Sequence, residues 1–442
     1  MLADRMRVGA HPGRGVRDTA VLVAARIVAA LLALGWMLGL TAAAGPVTTG
    51  QVLTGIALAE LVSVLATLNM ESGALRTLPQ AIGRGAVAEA RGFVRFCLAA
   101  ASLGGMLVAF VFLAVTTAIG DGTPTKLSLT IACAIPAVAQ ARVLARLGTA
   151  LGRTPSTGLP RLLLPGASLL GLVVIEGDAI VAWQMLAGFA LAYAVATILQ
   201  WLGLRRAGAL PPPGPLALAA WRSWLHAGLS LLPALGLQEY RRSLLVATAA
   251  TALGAAQIAG FGIALSLTGF VFFALTAVDS VFAAALAKAV QTGSADTRDR
   301  LLQRSSAIKL ALVLAGLGVL LALFWIGLPA LGFPADSATL SVALLLLSVP
   351  FLQAVLGPSG PLLVITGRFE ALLRAALSGL AATVALTFLG AMTGSGAAAA
   401  LGAAAGLVLH QTALRRFWLR SGGVDPAPWA VRQRLSGQAC RP

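Results

Sequence analysis

Charge is what this sequence has least of. Only 11% of its 442 residues are Asp, Glu, Lys or Arg, where soluble domains carry roughly a quarter. An ordinary water-soluble domain is thereby excluded. Cysteine is nearly absent too. Cys97, Cys133 and Cys440 show neither metal-ligand spacing nor an even framework, so neither a disulfide scaffold nor a zinc site is expected. His11, His226 and His410 are scattered and make no metal cluster. No glycine-rich loop ends in the Lys-Ser/Thr of a phosphate-binding turn, which leaves no basis for direct ATP hydrolysis. No metal and no cofactor are expected, and no enzymatic chemistry.

What is present is apolar and small. Hydrophobic residues make up 58% of the chain, with 49 glycines, and the mean hydropathy is +0.90. This is the composition of a polytopic membrane protein whose helices pack through small side chains. Twelve spans can be drawn, at 20–44, 47–69, 93–119, 127–148, 159–175, 180–204, 224–250, 255–281, 306–329, 338–357, 371–391 and 396–414. The fifth is short, and is expected to be tilted, re-entrant or extended at its ends. Pro136, Pro165, Pro233 and Pro350 fall inside spans, where neighbouring groups can satisfy the freed carbonyls.

The formal charge of +17 does not indicate nucleic acid, because the cations stand in short clusters between apolar runs. With the N-terminus inside, the inner segments hold Arg5, Arg7, Arg14 and Arg17, then Arg76, Arg84 and Arg91, then Arg153, Arg205, Arg206 and Arg222. Further on they hold Lys288, Arg298, Arg300, Arg304 and Arg368, and finally Arg415, Arg416, Arg420, Arg432, Arg434 and Arg441. The outer loops hold only Lys126, with Asp121, Glu176, Asp178 and Asp336. Inner loops of membrane proteins carry this excess of Lys and Arg, so an even span count with both termini cytoplasmic is expected. The basic stretch 1–18 leads directly into a full-length span, and the first helix is expected to be retained.

Pro211-Pro212-Pro213-Gly214-Pro215 is the clearest punctuation. It divides the chain into a cytoplasmic segment 1–19, a first six-helix bundle 20–204, a proline-rich linker 205–223, a second bundle 224–414 and a basic tail 415–442. The outer loops are all short and leave no room for an exterior catalytic domain. Two equal bundles on a stiff linker suit an alternating-access transporter.

Within the seventh span stands Gln238-Glu239-Tyr240-Arg241-Arg242-Ser243. Charges at the centre of a membrane helix are costly and normally face a cavity or a partner. Glu239 and Arg242 share one helical face and could pair, as could Gln238 and Arg242. Two cations against one carboxylate leave a net positive centre. Arg241, Arg242 and Gln238 are therefore candidates to receive an anionic group such as phosphate, for which the planar guanidinium fork is suited. The alternative is a structural ion pair with the spare arginine reaching an interface. Glu60, within span two, is a candidate counter-ion or a proton or sodium site, as is Glu239. Arg26, Arg142 and Arg146 lie toward the inner ends of their spans, and Arg76 in the inner segment after span two. They could contact an anionic headgroup at the inner mouth, or simply follow the inside bias, and Arg26 could snorkel. Asp279 and Lys288 flank the inner end of span eight, where solvation is the default. Gly357-Pro358-Ser359-Gly360-Pro361 reads as a helix break.

Three stretches carry a resemblance to a known family. One is 65–76, Leu-Ala-Thr-Leu-Asn-Met-Glu-Ser-Gly-Ala-Leu-Arg. The second is 261–304, a helix eight with an amphipathic extension and an Asp- and Arg-rich loop. The third is 355–368, Val-Leu-Gly-Pro-Ser-Gly-Pro-Leu-Leu-Val-Ile-Thr-Gly-Arg. With the six-plus-six layout, the chain resembles the polysaccharide flippase branch of the multidrug, oligosaccharidyl-lipid and polysaccharide exporter superfamily. One departure is Ala256-Gln257-Ile258, where many members carry Gly-x-Tyr. The resemblance implies an all-α, MATE-like exporter fold. It implies a flippase that moves an isoprenoid pyrophosphate-linked oligosaccharide across the bacterial cytoplasmic membrane, by alternating access around a cationic cavity. Expected partners are that lipid-linked substrate, the bilayer, a proton or sodium ion, and other polysaccharide assembly proteins. The competing expectations are a multidrug cation antiporter of the same fold and, behind it, a membrane-embedded glycan polymerase.

Overall fold

A computed structural model describes residues 12–119, 125–210, 215, 217–226, 228–229, 232, 240–291, 295–327, 337–420, 425–428 and 430. All regular structure among them is helical. Among the described residues ten helices are long and apolar enough to cross a membrane. The first of them, α1 (Pro12–Thr67), is bent at Gly45, whose φ of 84° lies outside the helical region. Glycine adopts that angle without penalty, and Pro46 behind it has no N–H to donate. The bend divides α1 into the first two expected spans. Helical residues at 221–226 and 241–250 flank the remainder of the expected seventh span, so about twelve crossings stand. Pro233, expected inside that span, lies outside the described residues.

The chain forms two compact units, Met1–Leu232 and Pro233–Pro442. In the first, α1 ends where Leu68 and Asn69 turn left-handed, at φ 47° and 57°. Thr67 Oγ1 accepts from Asn69 N, and a single 3-10 turn, Met70–Gly73, leads into α2 (Ala74–Gly83). α2 buries Ala74, Leu78 and Ala81 against Phe93, Val143 and Leu147 and leaves Gln80 in solvent. α3 (Val87–Ala99) and α4 (Gly105–Ile119) are joined by a π-helical turn, Ala100–Gly104. Such a turn spoils the helical register of a carbonyl. Here the carbonyl of Leu98 accepts from Gln140 Nε2 on α5 (Lys126–Ala150) at 3.1 Å, and the same amide also reaches Ser102.

Span five is not a short element. α6 (Thr154–Glu176) has 23 residues, enough at about 1.5 Å each to cross a bilayer. Its apolar core is extended at both ends by residues too polar to count in the sequence. α7 (Ala182–Arg206) closes the set against α5 and α6. Beyond it, residues 215–226 return to α3. Arg91 donates to the Pro215 carbonyl at 2.8 Å, and Trp224 stacks edge-on against Phe93 at 5.3 Å.

The second unit begins with α8 (Arg241–Ala250), followed by α9 (Ala255–Gln291) and α10 (Ala295–Ala322). α9 and α10 extend past their apolar parts, in keeping with the amphipathic extension of helix eight expected within 261–304. α11 (Ser337–Leu356) and the short α12 (Ser359–Ile365) are separated at Gly357, φ 82°, so the Gly-Pro-Ser-Gly-Pro stretch is indeed a helix break. α13 (Phe369–Ala391) and α14 (Gly396–Arg420) form a close hairpin. An added Cβ on Gly402 or Gly406 would strike the backbone of Leu386 or Thr383. That contact is the small-residue packing expected of membrane helices.

Candidate functional site

Arg241 is the first residue of α8, behind an N-cap, Tyr240, that offers no side-chain cap. Its guanidinium carbon lies 3.4 Å from the ring centroid of Phe272 on α9. Among the described residues the guanidinium has no hydrogen-bond or ion-pair partner. The positive end of the α8 dipole adds to its field. Among the described residues, a cation in this position has a ring face beneath it and no anion paired with it. Arg242 follows on the same helix, half-buried and engaged with a neighbour. Gln238 and Glu239 lie outside the described residues, so their pairing with Arg242 is not described either.

The other sequence candidates are dispersed. Glu60 on α1 is half-buried, and its carbonyl accepts from Ser63 Oγ at 2.6 Å. It belongs to the first unit, and Arg241 and Arg242 belong to the second. Arg26 is exposed on α1, close enough to Arg161 of α6 for their charges to repel. Arg146 is half-buried on α5. Arg76 stands on α2, with its side chain outside the described residues.

Arg142 has a different setting from its neighbours. It and Glu71 are each only 2% exposed, and their side chains meet at 2.6 Å. Arg142 Nη1 also donates to Ser63 Oγ at 3.3 Å. A headgroup could reach this guanidinium only after the pair had opened. The second Glu71 oxygen, Oε2, is buried without a hydrogen-bond partner among the described residues. Glu71 is a residue that sequence reasoning missed; the only available signal was a carboxylate directly after an apolar run.

In the second unit Asp279 is not simply solvated. It is paired with Lys309 of α10, which is 1% exposed. Beside Asp279 lies a small, open cleft lined by Asp279, Leu302, Ser305, Pro358 and Pro361. Lys309 also escaped the sequence reading, hidden in an otherwise apolar span. Among the described residues no group of His, Cys, Asp and Glu could hold a metal ion.

The fold itself is known from transporters. An inward-facing multidrug resistance MATE family transporter of the MOP superfamily superposes with a TM-score of 0.64, at 12% identity, over 95% of this chain and 98% of that one. The lipid II flippase MurJ, in an inward closed conformation, superposes with a TM-score of 0.63, at 9% identity, over 92% and 87%. The MATE multidrug transporter DinF-BH gives 0.57, at 15% identity, over 93% and 96%. No family model matches the sequence, and no curated protein does. The chain is therefore a multi-pass, all-α membrane protein with the MATE-type transporter fold.

Proposed function

We propose that this protein is a flippase for a lipid-linked oligosaccharide carried on an isoprenoid pyrophosphate. It works in the bacterial cytoplasmic membrane, by alternating access and without covalent chemistry, within a polysaccharide export system. The observation that carries this reading is the Arg241 guanidinium, held against an aromatic face with no ion-pair partner among the described residues, beside a second arginine. A carrier of organic cations would be served by the opposite sign. A fold shared with a lipid II flippase supports the reading, since that neighbour moves a lipid-linked cargo of its own.

In this scheme Arg241 and Arg242, with Gln238, receive the pyrophosphate by charge-assisted hydrogen bonds. Glu239 or Glu60 adjusts the charge around the substrate or binds a coupling proton or sodium ion. Arg26, Arg76 and Arg146 are proposed to meet the headgroup at the inner mouth, and Arg142 to do so if its pair opens.

The test is glycan export in cells whose own flippase has been deleted. Arg241→Ala and Arg242→Ala are expected to abolish surface glycan while the protein still reaches the membrane. Undiminished export in both single variants and in the double variant would remove the anion-site reading. The likeness to multidrug transporters keeps a second reading, a multidrug cation antiporter. Drug accumulation in cells with and without the protein separates the two. A fall in accumulated cationic dye with no effect on glycan would favour the antiporter.

A further inference from the structure

We infer that Phe272 is a positioning residue for the proposed anion site. Its ring holds the Arg241 guanidinium in the orientation that selects a pyrophosphate group. This deepens the flippase reading and rests on it.

The geometry is specific. A guanidinium carbon 3.4 Å from a ring centroid is at van der Waals contact distance. That is too close for N–H groups to point down at the ring, so the guanidinium lies flat on it. Flat stacking occupies one face of the cation and leaves its in-plane N–H fork directed sideways. A fork so held can meet two oxygens of one planar or paired anion, which a mobile point charge does less selectively. The ring is itself fixed, since Phe272 is only 9% exposed within α9. The arginine is anchored at the start of α8, so neither partner of the stack is on a loose loop.

A long cationic side chain would otherwise sample many rotamers, and that freedom would be lost on binding. The stack removes it beforehand. The ring supplies attraction through its negative face without neutralising the charge, as a carboxylate would. The arrangement keeps the arginine both ordered and available.

The experiment uses the full-length protein in lipid nanodiscs and measures binding of farnesyl pyrophosphate. Farnesol and inorganic pyrophosphate separate the lipid tail from the anion, and distinguish a lipid-borne from a free pyrophosphate. Phe272→Leu is expected to weaken farnesyl pyrophosphate binding about tenfold, within the range of a desolvated cation–π contact. It should leave farnesol binding unchanged. Phe272→Tyr, which keeps the aromatic face, should bind within about twofold of the parent on the same ground. Arg241→Lys should bind more weakly than the parent despite its equal charge.

Three results would overturn the inference. One is parent-like pyrophosphate binding by Phe272→Leu alongside loss in Arg241→Ala, which would spare the anion site but not the positioning role. The second is equal loss of farnesol and farnesyl pyrophosphate in Phe272→Leu, the mark of collapsed packing. The third is a Phe272→Tyr variant that folds, by size-exclusion profile, and binds no better than Phe272→Leu. Parent-like binding by Arg241→Ala would instead remove the flippase site itself, whatever Phe272 does.

Discussion

Two of the ion pairs bury a charge against a partner far away in the sequence. Arg142 and Glu71 lie 71 positions apart, and Lys309 and Asp279 lie 30 apart. Removing one member of a buried pair leaves the other charge uncompensated, which costs about 3–5 kcal/mol. Arg142→Met is expected to lose stability of that order, seen as a fall in the thermal unfolding midpoint in detergent. The double variant Glu71→Gln/Arg142→Met should recover most of the loss, because replacing the whole pair by neutral groups is often close to neutral. An additive double variant would show that the two side chains act independently. The same residues mark what a sequence can and cannot disclose. Arg142 and Arg241 were visible because a cation inside an apolar run is anomalous by itself. Glu71 was not, since a carboxylate just past a span reads as solvated. Phe272 was invisible because a phenylalanine in a membrane helix needs no explanation until an arginine is found on its face.

At the scale of elements, close approach of backbones decides which residues are tolerated. The α13–α14 hairpin brings Gly402 against the carbonyl of Leu386 and Gly406 against Thr383. Gly402→Val should force the helices apart at a cost of about 1–3 kcal/mol. Its sign is a lower unfolding midpoint with no change in net charge. Gly318, with nothing near its built Cβ, is the matched control, and Gly318→Val should shift the midpoint much less. The π-helical turn gives a second case. Gln140→Leu leaves the Leu98 carbonyl without its amide donor, a loss of about 1–3 kcal/mol for an unsatisfied buried acceptor. Faster amide exchange confined to 96–104, by mass spectrometry, would locate the damage. The Gly45–Pro46 bend and the break at Gly357 were readable, since glycine and proline punctuate in any solvent. The π turn was not, because nothing in Ala100-Ala101-Ser102-Leu103-Gly104 differs from ordinary helix-forming sequence. It lies where Gly104 and Gly105 pack closely against Ala66 and Pro136, a tertiary contact that local sequence does not show.

The whole molecule was the most legible scale, because the bilayer admits so few solutions. Its thickness sets span length, and its lack of hydrogen-bonding partners demands helices. The expected orientation rests on the same physics through charge. Moving one cation outward against a membrane potential costs about 2.3 kcal/mol per 100 mV, so segments rich in arginine are expected to stay inside. The proposed outer side keeps Lys126 alone, and the structure seats that ammonium 5.3 Å from the ring centroid of Trp183. Lys126 opens α5 and Trp183 stands in the first turn of α7, the arrangement of an interfacial belt. Orientation can therefore be tested at single positions in a background lacking Cys97, Cys133 and Cys440. Cysteines placed by Lys126→Cys and Asp178→Cys should react with a membrane-impermeant maleimide in intact cells. Those placed by Arg206→Cys and Arg368→Cys should react only after permeabilisation. The inverse pattern would reverse the orientation and, with it, the side on which Arg26 and Arg146 meet a headgroup. A mixed pattern, with Arg206 and Arg368 on opposite sides, would break the even count between them and remove the six-plus-six layout on which alternating access was argued.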